Sequence, residues 1–134
     1  MIKLGMDEIR YLNALSKLSG VNAKDCIIGE KNITFIVPEK DMGQAIGKNG
    51  STIEEIRKRI GKNVELIAYT EKPEQFLKKA FNQVQFQKIE SKENALQAQL
   101  DYENKSKLLQ QQGKLKRVKE ALKRNYNIAE VRIR

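Results

Sequence analysis

Histidine and tryptophan are absent from the 134 residues, cysteine occurs once (Cys26) and proline twice. Without histidine there is no imidazole for general acid–base work and no Ser–His or Cys–His nucleophile. A Cys/His zinc site is excluded as well. One thiol cannot close an intramolecular disulfide, so nothing demands an oxidising compartment, and Cys26 reads as a small buried apolar residue. No run approaches the roughly 18 apolar residues of a membrane span. Residues 1–7 lack the apolar stretch and small-residue cleavage pattern of a secretory leader. A soluble, cytoplasmic chain without a membrane partner is expected. The length excludes a long multi-domain enzyme and fits one ordinary domain or two very small ones.

Charge is what the chain has in quantity. Asp, Glu, Lys and Arg make up 32% of it, with a net charge of +9, which points to an acidic partner. The excess is uneven. Residues 1–71 hold 11 Lys/Arg against 10 Asp/Glu, a balance of +1, whereas residues 72–134 hold 15 against 7, a balance of +8. Hydrophobic residues at 40% suffice for a core although aromatics are only 6%.

Ile9, Leu12, Leu15 and Leu18 recur at helical spacing and Gly20 offers a stop. Two strands are expected at 23–28 and 33–37, separated by the turn Gly29-Glu30-Lys31-Asn32. The second is almost wholly apolar, as for a strand covered on both faces. Asp41 with Gln44, and Ser51 with Glu54, have the spacing of capping boxes. They predict a short helix, then a longer one whose stripe is Ile53, Ile56 and Ile60, closed by Gly61. A third strand alternates through Val64, Leu66 and Ala68. The same order then recurs: a helix opened by Pro73, strands at 84–89 and 95–102, a helical turn at 104–109, a long helix at 114–125 and a strand at 129–133. Gly50 and Gly113 fall at corresponding places, so an internal duplication is expected, as two domains spanning 1–71 and 72–134.

The segment richest in chemistry is Ala45-Ile46-Gly47-Lys48-Asn49-Gly50-Ser51-Thr52-Ile53. Two glycines bracket a basic and a polar residue between a helix end and a helix start. Glycine has no Cβ, so the backbone can turn tightly and approach another molecule. The helix opening at Ser51 presents N–H groups and the positive end of its dipole, which suits a phosphate, and Lys48 adds a mobile charge. A Walker A loop is excluded, since only three residues separate Gly43 from Gly47 and Asn49 follows Lys48. The glycine spacing also excludes a dinucleotide fingerprint.

Ile46-Gly47-Lys48-Asn49-Gly50-Ser51-Thr52-Ile53 resembles the signature of the KH domain, whose GxxG loop clamps about four nucleotides of single-stranded nucleic acid. The helix-strand-strand-helix-helix-strand order is similar to the prokaryotic type II version. With Asp7-Glu8-Ile9-Arg10-Tyr11 near the start and Lys123-Arg124-Asn125-Tyr126-Asn127-Ile128 near the end, the chain resembles the archaeal NusA-like family over nearly its whole length. The resemblance implies an α+β fold of two tandem type II KH domains, each a three-stranded mixed sheet with three helices packed on one side. It also implies a non-catalytic factor binding single-stranded RNA in transcription termination or antitermination. RNA polymerase is a further expected partner, and a monomer with no metal and no cofactor is expected.

The second domain departs from the family where Gln110-Gln111-Gln112-Gly113 replaces GxxG. Close backbone approach is not expected there. Yet residues 105–124 hold eight Lys/Arg against Glu120 alone, which suits a continued, nonspecific phosphate track. The expected RNA-binding residues are therefore Ile46, Gly47, Lys48, Asn49, Gly50 and Ser51, joined by Lys114, Lys116 and Arg117. Ile53 is expected in the core. Tyr11, Tyr69 and Tyr126 are expected to pack rather than stack on bases. The alternatives are a ribosome-associated or RNA-processing KH protein, or a polymerase-docking module with little RNA specificity.

Overall fold

The computed structural model describes residues 5–134; the first four residues of the segment read for a leader lie outside the described residues. Two compact units divide the chain after Tyr69. In the first, α1 (Met6–Ser19) is followed by strands β1 (Asp25–Ile28) and β2 (Asn32–Pro38), short helix α2 (Met42–Ile46), helix α3 (Ser51–Ile60) and strand β3 (Asn63–Tyr69). Gly20 ends α1 at φ +75°, its N–H reaching the Ser16 carbonyl at 2.7 Å. Gly61 ends α3 in the same way at φ +78°. A left-handed cap of this kind favours glycine.

β2 is the centre of its sheet. It runs antiparallel to β1, with Cys26 opposite Phe35, and parallel to β3, with Phe35 opposite Leu66. A parallel neighbour needs a crossover connection, and α2 and α3 provide it. All five residues 33–37 are buried, as the apolar run predicts. Ile33, Phe35 and Val37 form the core with Tyr11 and Leu15 of α1, Ala45 of α2, Ile56 of α3, and Cys26. Ile53 packs against that core, partly buried.

The second unit contains α4 (Pro73–Ala80), β4 (Lys88–Lys92), β5 (Ala95–Gln99), α5 (Tyr102–Leu109), α6 (Gln112–Tyr126) and β6 (Glu130–Ile133). Its sheet has β5 at the centre, antiparallel to β4 and parallel to β6. The order and the mixed pairing repeat those of the first unit, so the α+β class with two three-stranded mixed sheets is what the chain adopts. Tyr126 packs obliquely against Phe76, ring centres 5.2 Å apart, and donates its hydroxyl to the Thr70 carbonyl at 2.6 Å.

The expected strand at 23–28 begins only at Asp25, the one at 84–89 is displaced to Lys88–Lys92, and the one at 95–102 ends at Gln99. The segment at 84–87 is not strand, because the Val84 N–H closes a turn on the Phe81 carbonyl (3.0 Å) and the Gln85 N–H is taken by Asn104 Oδ1 (2.9 Å). β5 stops at Gln99 because Asp101 caps α5, accepting the Asn104 N–H at 2.8 Å. That bond holds the Asp101 carboxyl below the usual carboxylate range. Since the folded value is the lower one, the cap stabilises the unit above the ordinary carboxyl pKa near 3.9 and is lost as pH falls through the depressed value. Asp101→Ala is therefore expected to lower the melting temperature at pH 7, with the gap to wild type closing under strong acid. Thermal melts across a pH series would read this, and a gap that does not depend on pH would contradict it.

Among the described residues no helix is long and apolar enough to cross a membrane.

Candidate nucleic-acid interface

Between α2 and α3 the chain turns through Gly47, Lys48, Asn49 and Gly50. Three of these four residues have positive φ: Gly47 at +78°, Asn49 at +55° and Gly50 at +75°. Gly47 combines its φ with ψ 170°, a region that is essentially glycine's alone. Asn49 sits in the left-handed region that asparagine tolerates better than most residues. The turn is closed from within. The Gly47 N–H reaches the Gly43 carbonyl at 2.9 Å, and the Gly50 N–H reaches the Gly47 carbonyl at 3.1 Å.

The two glycines are needed for different reasons. A Cβ on Gly47 would lie 2.7 Å from both Cβ and the backbone nitrogen of Thr52 and would also strike Thr52 Oγ1. On Gly50 it would meet nothing nearer than Ile53 Cγ2 at 3.9 Å. Gly47 therefore lets the turn fold down onto the first turn of α3, and Gly50 supplies only a backbone angle. The sequence presented Thr52 as an ordinary helix residue, and no signal in it marked this contact.

Neither expected capping box forms. Asp41 lies in a 3-10 turn (Glu39–Asp41) with helical backbone angles, so its side chain is not placed to cap α2. Gln44 instead donates to the Ser19 carbonyl at 2.7 Å, tying α2 to the end of α1. Ser51 is the first residue inside α3, behind Gly50 as the cap, and Glu54 pairs with Arg57. The start of α3 thus carries no side-chain cap. Lys48, Asn49 and Ser51 are exposed beside it, and Ile46 is 38% exposed. Six expected residues, Ile46 to Ser51, are consequently brought into one small surface with glycine backbone, an ammonium, an amide and a hydroxyl. That surface can accept an anionic oxygen closely, with an apolar side chain next to it.

Lys114, Lys116 and Arg117 lie in the other unit, on α6, and the structure separates them by environment. Lys114 is half-buried with its ammonium 5.3 Å from the centre of the Phe81 ring, and Arg117 is also half-buried. Lys116 is exposed, and Lys119 and Lys123 continue its stripe at helical spacing. The opposite face of α6 buries Leu115, Val118, Ala121 and Leu122.

Gly113 is not the counterpart of Gly50. It is the second residue of α6, not a left-handed cap, and α5 passes into α6 through Gln110 and Gln111 alone. With no glycine-dependent turn there, no protruding loop forms. Tyr11 is buried to 9% exposure, and Tyr126 is half-buried, with its ring against Phe76 and its hydroxyl bonded to Thr70, so both pack as the sequence predicts.

Residues 8–96 match the KH domain family. The chain is 33% identical over 88 residues to the probable transcription termination protein NusA of Methanococcus vannielii, covering 66% of this chain and 51% of that protein. To the protein of the same name from Methanocaldococcus jannaschii it is 30% identical, covering 66% and 48%. The matched stretch thus spans about half the length of these two relatives. The Halobacterium salinarum protein of that name is 24% identical, with 95% of each chain covered. The crystal structure of APE1850 superposes with a TM-score of 0.84 at 28% identity, over 98% of this chain and 100% of that one.

Proposed function

This chain belongs to the KH domain family, and from that premise we propose that it binds single-stranded RNA as a non-catalytic factor in transcription termination or antitermination. The RNA backbone would be gripped at residues 47–50, with Ile46 and Ser51 beside it. The observation that carries this proposal is the seating of Gly47 against Thr52, which leaves no room for a Cβ and holds a helix start without a side-chain cap next to Lys48. KH loops of this form clamp about four nucleotides. The names of the archaeal relatives supply the transcriptional context, with RNA polymerase as the second partner.

Under this proposal Lys114, Lys116 and Arg117 in the second KH domain add phosphate attraction without base selection. Binding of a randomised single-stranded RNA pool over a salt series, with duplex DNA as control, tests the whole reading. Enrichment of a short motif with salt-dependent affinity supports it. Weak, motif-free binding would instead favour the docking alternative, to which the missing loop at Gln110 and Gln111 already inclines the second domain. Neutralising Lys116 (Lys116→Gln) is expected to reduce the slope of log affinity against log salt by about 0.7, one single-strand phosphate contact. An unchanged slope would remove Lys116 from the RNA track.

A further inference from the structure

Toward the other end of α3, a groove of about 520 Å³ opens between α1 and α3 of the first unit. Arg10 and Lys17 line it from α1 and Arg59 from α3, Ala14, Leu18 and Ile60 supply apolar surface, and among the described residues no acidic side chain lines it. Arg59 lies eight residues beyond Ser51, roughly 12 Å along the helix, so the groove is separate from the glycine turn. Two large apolar side chains extend it. Met6 stands four residues before Arg10, and Ile9 four before the groove residue Asn13, so both share that side of α1. Met6 is 88% and Ile9 46% exposed. Lys62 adds a cation at the margin, its ammonium 5.8 Å from the centre of the Tyr11 ring. Arg10 has an ion-pair partner in Asp7 at 3.4 Å, but both side chains are 70% exposed, and such a pair is readily exchanged for another.

We propose that this groove docks a protein segment that combines carboxylates with apolar side chains. The basic walls fit the carboxylates, and the floor together with Met6 and Ile9 fits the apolar groups. A nucleic acid would satisfy only the cations. Single strands bind through bases stacked on aromatic faces as well as through phosphates, and among the described residues lining the groove the one aromatic, Tyr11, is buried. The proposal does not depend on the RNA clamp.

The test is a titration of the isotope-labelled full chain, followed by amide shifts and anisotropy, with three probes: a synthetic Glu/Leu peptide, its Gln/Leu counterpart and oligouridine. The Glu/Leu peptide is expected to move the amides of residues 10–18 and 59–60, with the Gln/Leu peptide about tenfold weaker. Ala14→Arg separates docking from plain attraction, because it adds a positive charge while filling the floor. Docking requires weaker binding of the Glu/Leu peptide, whereas plain attraction requires tighter binding. Lys17→Glu with Arg59→Glu, at exposed positions, should give a loss of about tenfold or more without touching the core. Lys48→Asp with Asn49→Asp should leave peptide binding as in wild type, so failure of the clamp and failure of the groove are distinguishable. Peptide shifts centred on α6, tighter binding by Ala14→Arg, or oligouridine moving residues 10–18 would each overturn the proposal.

Discussion

Replacing Lys48 and Asn49 together by aspartate is expected to abolish RNA binding by the first KH domain while leaving its fold intact. Both side chains are exposed, and neither contributes to the core. Asn49 holds φ +55°, which aspartate also tolerates better than most residues. The new carboxylates precede a helix without a side-chain cap, where the dipole favours negative charge, so the melting temperature should hold or rise slightly. Binding should respond in the opposite direction. A charge-assisted contact to phosphate contributes about 1.5–3 kcal/mol, and the double change replaces it with repulsion. A loss of affinity of about 100-fold or more follows. Circular dichroism melts and anisotropy with single-stranded RNA measure the two sides of this prediction. Retained affinity in a folded variant would move the RNA site away from the glycine turn, leaving the stripe of Lys116, Lys119 and Lys123 on α6 as the surface to examine.

What could be read in the sequence follows from how local each constraint is. The glycine turn was legible because positive φ and a missing Cβ restrict residue type at the position itself. β2 was legible because five successive buried residues must all be apolar or paired: Ile33, Phe35, Ile36 and Val37 are apolar, and Thr34 donates its hydroxyl to Glu65. The capping boxes failed because their side chains had better offers from elsewhere. Gln44 found the Ser19 carbonyl and Glu54 found Arg57. Asn104, nineteen positions away, likewise took the Gln85 N–H that a strand would have used. Gly113 resembled Gly50 in position along the chain but not in backbone, because Gly50 belongs to a turn that the second domain lacks, where Gln110 and Gln111 pass directly from helix to helix. The groove between α1 and α3 was least legible of all. Its three cations are scattered over positions 10, 17 and 59, in a half of the chain whose charges nearly cancel.

Substituting alanine at Gly47 is expected to cost far more stability than the same change at Gly50, although both are the glycines of one motif. At Gly50 the backbone is left-handed, φ +75° and ψ 14°, and the new methyl group faces open space. The cost is the left-handed strain of one L-residue, about 1–2 kcal/mol. At Gly47 the angles φ +78° and ψ 170° lie outside what alanine adopts without strain, a cost of about 1–3 kcal/mol. The methyl group must also displace Thr52, whose backbone nitrogen would sit 2.7 Å away, at a further cost of about 1–3 kcal/mol. Together these reach about 2–6 kcal/mol, and the upper end equals the whole stability of a marginal small domain. Thr52→Gly in the Gly47→Ala background removes the side-chain overlap but not the overlap with the backbone nitrogen, so recovery should be partial. Hydrogen exchange at residues 33–37 of β2 reports the first unit by itself and would rank the variants. Protection in Gly47→Ala equal to that in Gly50→Ala would mean that the turn can lift off α3 at little cost. Gly47 would then matter only for its approach to RNA, and the fit against Thr52 would lose its place as the support for the clamp.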